Sequence, residues 1–123
     1  MNTEIKEVVV DGITYVPKCL ENNLAPKLEE KQFVIIRTYS AGVHFGYLDS
    51  RNGKEVKLLK AQRVWYWDGA ASLSQMALDG VSKPENCKFS VEIETIELLE
   101  AIEIIPCTEK AMLNLKKVLI WKQ

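Results

Sequence analysis

Val8, Val9 and Val10 precede Asp11-Gly12, and Ile13, Tyr15 and Val16 follow it. β-Branched runs on both sides of an Asp-Gly pair predict a hairpin at the start of the chain. Pro17 to Pro26, with Asn22, Asn23 and two prolines, reads as a loop. Phe33 to Ile36 is then an unbroken β-prone run between polar flanks, which places a strand over Gln32 to Tyr39. Ala41-Gly42 turns it into a return strand, Val43 to Leu48. Arg51-Asn52-Gly53 makes a second tight turn, and Lys54 to Leu59 and Gln62 to Trp67 continue the sheet with a kink or bulge near Ala61.

The period changes after Asp68-Gly69. Leu73, Met76 and Ala77 fall at i, i+3 and i+4, so Ala70 to Leu78 is expected to be helical and to stop at Asp79-Gly80. Cys87 to Thr95 alternates, with Phe89, Val91 and Ile93 opposite Lys88, Ser90, Glu92 and Glu94, as a half-buried strand does. Ala101 to Ile105 predicts a further strand with Glu103 outward. Thr108 is placed to cap a short helix through Lys116, whose Ala111, Met112 and Leu115 form an apolar stripe. Val118 to Trp121 is read as a last edge strand. Many short antiparallel strands with two short helices give an α+β class: one domain over residues 1–123, built on a curved sheet or a small open barrel.

Composition narrows the function classes. At 123 residues, 47 % hydrophobic and 27 % charged, the chain has the balance of a globular domain. A net charge of −1 argues against binding polymeric nucleic acid over the whole surface. Apolar runs such as Phe33 to Ile36 and Val118 to Trp121 are too short to span a bilayer, and Met1 to Asp11 lacks the pattern of a secretory signal, so a cytoplasmic protein without a membrane partner is expected. Cys19, Cys87 and Cys107 have no CxxC spacing. Ordinary thiols fit them better than a disulfide framework or a zinc site completed by His44, and neither metal nor cofactor is called for.

Charge is uneven along the chain. Lys31 to Trp67 holds seven basic residues against Asp49 and Glu55, whereas Glu85 to Glu109 holds seven glutamates against Lys88. Either the two segments face each other, within the fold or across a subunit contact, or the basic one carries an anion site.

Two segments hold the candidate chemistry. In the first, Arg37, Thr38, Tyr39, Ser40 and His44 surround the small-residue turn at Ala41-Gly42, whose amides could meet an anion. In the second, Arg63, Trp65 and Trp67 lead through Gly69, Ala70 and Ser72 into a helix whose N-terminus is clear of bulky side chains. Alternation puts Trp65 and Trp67 on one face and Tyr66 on the other. The indoles are therefore either core under the helix or a platform that stacks a base while Arg37 or Arg63 holds a phosphate. No GxSxG, HExxH or P-loop is present, and the glutamates of Glu92 to Glu103 alternate with apolar residues as a solvated sheet face would.

RTYSAGVHFGYL at Arg37 to Leu48, VWYWDGAASLSQMA at Val64 to Ala77, PENCKF at Pro84 to Phe89 and EIIPCTEKA at Glu103 to Ala111 resemble a group of small, uncharacterised bacteriophage-encoded proteins. The resemblance brings no reaction with it. It implies a phage setting, in the cytoplasm of an infected bacterial host, where some small proteins neutralise defence by enclosing nucleotide second messengers without destroying them.

The expectation is thus a non-enzymatic, homo-oligomeric binding protein that sequesters a nucleotide-derived signal, of cyclic nucleotide or ADP-ribose type. The alternative is an adaptor or inhibitor that docks on a host protein through its acidic strand, without a small ligand.

Overall fold

The computed structural model describes residues 23–122. The hairpin expected around Asp11-Gly12, most of the Pro17 to Pro26 loop and Cys19 lie outside the described residues. Six strands, β1 (Phe33–Thr38), β2 (Val43–Asn52), β3 (Glu55–Tyr66), β4 (Lys88–Phe89), β5 (Ile93–Leu98) and β6 (Ala101–Pro106), form one open antiparallel sheet. With helices α1 (Leu73–Asp79) and α2 (Glu109–Lys116) they make an α+β fold. The strand order is β4-β3-β2-β1-β6, and β5 pairs with β3 as well.

β1 explains why its sequence is apolar without alternation. Phe33 and Ile35 face the helices and pack with Phe45, Phe89, Met76 and Leu115, while Val34 and Ile36 face a second core with Val56, Leu58 and Leu98. A strand buried on both faces needs apolar residues at successive positions. On the helix side Phe33, Phe45 and Phe89 form a chain of tilted rings with centroids 5.7 and 5.4 Å apart.

The kink expected near Ala61 is present, but it bends one long strand instead of separating two. Lys60 adopts φ 52°, and the β2–β3 register shifts between Phe45 and Tyr47. Gly46 lies at that point, where a Cβ would come within 2.9 Å of the Leu59 carbonyl oxygen, so only glycine lets the two backbones approach this closely.

The bend gives the edge of β3 away from β2 two partners. Val56 to Ala61 pair with β5, whereas Val64 and Tyr66 pair with β4. The single strand expected over Cys87 to Thr95 is therefore broken, because its two ends follow different halves of β3. Ser90 fills the break: its N–H donates to Arg63 O at 2.9 Å, its Oγ accepts from Arg63 N at 2.7 Å, and its carbonyl accepts from Gln62 Nε2 at 2.8 Å.

α1 begins at Leu73, later than Ala70, since Ser72 is the N-cap and its hydroxyl accepts from Gln75 N. α2 begins after Thr108 as expected, with the Thr108 hydroxyl accepting from Ala111 N. Val118 to Trp121 makes a single parallel bridge, Ile120 to Phe89, and a bond from Trp121 N to Phe89 O at 2.8 Å instead of an edge strand.

The basic and acidic segments meet within one chain. Arg37 pairs with Glu103 at 2.8 Å and Lys60 with Glu94 at 3.3 Å, both across neighbouring strands.

Candidate functional site

Arg37 and Arg63, the two cations of the expected anion site, leave opposite faces of the sheet. Arg37 lies opposite Val43 and Glu103, and Val43 lies opposite Val64, which belongs to the helix-side core. Arg63 lies opposite His44, which lies opposite Ile36 on the other face. Directly opposed residues share a face, so the sheet itself separates the two guanidiniums.

The turn after Arg37 is occupied by its own bonds. The Thr38 hydroxyl donates to Gly42 O at 2.7 Å and accepts from Ala41 N at 2.8 Å, and Ser40 donates to Glu100 at 2.6 Å. Tyr39 projects into solvent.

The second segment divides. Trp67 packs partly buried against the helix-side core and donates its indole N–H to Ala70 O at 3.2 Å, whereas Trp65 lies exposed with Arg63. The expectation that both indoles share a face fails because β3 ends at Tyr66 and its register shifts between Val64 and Tyr66, so alternation does not carry through to Trp67. Gly69, at φ 94°, is packed so that a Cβ would come within 2.5 Å of Lys83 N. Two amides at the start of α1 are also used within the chain: Ala71 N donates to Gln75 Oε1 at 2.8 Å and Gln75 N to the Ser72 hydroxyl at 3.2 Å. Gly69, Ala70 and Ser72 thus shape a loop and cap a helix.

His44, Arg63 and Trp65 do come together. They line a groove of about 290 Å³ with Ser90, Val91, Ile93 and Ile96, at the point where β3 changes partner. Arg63 Nε–H donates to His44 Nε2 at 3.1 Å, and the guanidinium lies 5.4 Å from the Trp65 ring centre. Because a guanidinium can only donate, His44 Nε2 must be the acceptor, so the proton of the neutral imidazole sits on Nδ1. That Nδ1 is buried and has no hydrogen-bond partner among the described residues. Burial first, and the Arg63 charge second, push the His44 pKa down to about 4. At neutral pH the imidazole is an uncharged strut for Arg63 and a weak base.

The thiols stand apart from this groove. Cys87 and Cys107 belong to the helix-side core, and burial raises both pKa values, that of Cys107 to about 12. Among the described residues no three His, Cys, Asp or Glu side chains cluster as metal ligands.

A domain of unknown function, DUF6948, matches residues 31–115. The chain belongs to the DUF6948 family. No curated protein and no solved structure matches it. The DUF6948 region holds His44, Arg63, Trp65 and every other residue of the groove.

Sequence reasoning missed a neighbour of this groove that does not itself line it. Trp121, beyond the DUF6948 region, stands edge-on to Trp65 with ring centres 6.3 Å apart, and Lys88 Nζ lies 5.5 Å from the Trp121 ring centre. The Trp121-to-Phe89 backbone bond carries the C-terminal segment there, a long-range contact that no local pattern announces. The groove floor at Ser90 was hidden for a similar reason: no glycine or proline marks the strand break.

Proposed function

We propose that this DUF6948 chain is a non-enzymatic binding protein for a nucleotide-type ligand, whose base stacks at Trp65 and whose phosphate meets Arg63. The observation that carries the proposal is the fixed guanidinium: Arg63 is bonded to His44 at 3.1 Å and lies against an exposed indole at the lip of a groove. Among the described residues no carboxylate pairs with it, in contrast to Arg37, Lys31, Lys60 and Lys110. An arginine already ordered loses little freedom on binding, and its terminal N–H groups suit a phosphate. The apolar floor of Val91, Ile93 and Ile96 suits a planar ring.

In the phage setting implied by the sequence resemblance, such a protein would act by sequestration of a nucleotide immune signal. Enclosure of the ligand by a second copy belongs to the same proposal, and light scattering with and without ligand reads it.

The test is to incubate the protein with adenine nucleotides, wash it, release bound material by heat and identify it by chromatography. Recovery of intact nucleotide from wild type, and its loss from Arg63→Ala, is expected. Recovery of a chemically altered nucleotide would replace binding by catalysis. No retention at all would leave the adaptor reading.

A further inference from the structure

Beside the groove, past Trp65, lies a surface made by Lys88 of β4 and Trp121 of the C-terminal segment. Steps of 5.4, 6.3 and 5.5 Å lead from the Arg63 guanidinium to the Trp65 ring, to the Trp121 ring and to Lys88 Nζ. Two indoles therefore lie between two cations. Trp65 is 58 % and Trp121 40 % exposed, which is unusual for tryptophan on a chain whose core already holds three phenylalanines. Lys88, like Arg63, has no carboxylate partner among the described residues, even though its neighbourhood in sequence is rich in glutamate.

The angle between the rings decides how many bases this surface can take. The indoles meet at 70°, edge to face and in contact, so no base fits between them as in a sandwich. Arg63 lies over the Trp65 ring and Lys88 over the Trp121 ring, so each exposed indole has its own cation. Resting on the reading of the groove as a nucleotide site, we infer that the ligand is a dinucleotide, with one base against Trp65, the second against Trp121, and its phosphates between Arg63 and Lys88.

A longer single strand fits less well. The net charge is −1, and Glu92 and Glu94 flank the groove residue Ile93 in sequence, so a continuing phosphate backbone would meet carboxylates. A mononucleotide would leave Trp121 and Lys88 without a role.

Calorimetric titration with adenosine 5′-monophosphate, with linear 5′-phosphorylated diadenylate and with hexa-adenylate tests the inference on the full chain. The diadenylate should bind at least about fivefold tighter than the monophosphate, the low end of what one added stacked base contributes. Trp121→Ala should bring the diadenylate down to the level of the monophosphate and leave the monophosphate itself unchanged. Lys88→Gln, a surface change that keeps Trp121 in place, should weaken the diadenylate alone by at least about threefold.

Equal affinities for the two probes in wild type, or Trp121→Ala lowering both alike, would overturn the dinucleotide assignment while leaving the groove a nucleotide site. Hexa-adenylate binding tighter than diadenylate would overturn it in favour of polymeric strands. If the monophosphate and the diadenylate both fail to bind, the nucleotide reading itself falls, and the dinucleotide with it.

Discussion

Arg63 Nε and His44 Nε2 lie 3.1 Å apart across β3 and β2, and this one bond fixes the tautomer of a buried imidazole and the direction of a guanidinium. It also sets a cost. The imidazole cannot take a second proton on Nε2 without losing the bond and facing a cation in a desolvated site.

A pH dependence of stability follows. His44 titrates at about 4 in the fold against 6.5 when unperturbed, so between these values the unfolded chain binds the extra proton and the fold does not. Stability should therefore fall as pH drops from about 6.5 to about 4, by about 3 kcal/mol, and the His44 contribution should level off below that. Urea unfolding of wild type and His44→Phe at stepped pH checks it: the difference between the two should change across this window and be flat above pH 7.

The two arginines should separate by function. Arg37→Ala removes a half-exposed ion pair with Glu103 and should cost less than about 1 kcal/mol of stability with no effect on nucleotide binding. Arg63→Ala should weaken binding by about 1.5 to 3 kcal/mol, the range for a lost charge-assisted bond to phosphate. Calorimetry on both variants, with melting curves on the same samples, reads the contrast.

Trp65 and Trp67 should separate in the same way. Trp67 packs on the helix-side core and braces Ala70, so Trp67→Ala should cost about 3 kcal/mol of stability. Trp65 is exposed, and Trp65→Ala should cost less than about 1 kcal/mol while removing the stacking surface. Denaturant titrations of the two variants give the comparison.

Gly69→Ala should behave as a folding variant. Its φ of 94° and the 2.5 Å approach of a Cβ to Lys83 N both act against a side chain, so a loss of about 1 to 3 kcal/mol is expected, with nucleotide affinity unchanged once the protein is folded. A melting curve and one titration below the lowered midpoint check both parts.

The contrast between Gly69 and Arg63 indicates how much was legible in the sequence. Strand runs, turn dipeptides and the Thr108 cap act through neighbours along the chain, so β1, β2, the bend near Ala61 and α2 follow from local pattern. The site is made by partners far apart in sequence. Arg37 and Arg63 both look like free cations until strand register places Glu103 beside one and His44 beside the other. Trp65 and Trp67 look equivalent until the strand ends between them. Trp121 joins only through the fold of the C-terminal segment.

Tryptophan emission during titration with adenosine 5′-monophosphate, in wild type, Trp65→Phe and Arg63→Ala, reads base stacking in the groove itself. Stacking at Trp65 beside a fixed guanidinium predicts a saturable quench in wild type, its loss in Trp65→Phe, and a shift of the curve to at least about tenfold higher concentration in Arg63→Ala. No quench in wild type, or the same curve in all three proteins, would contradict it.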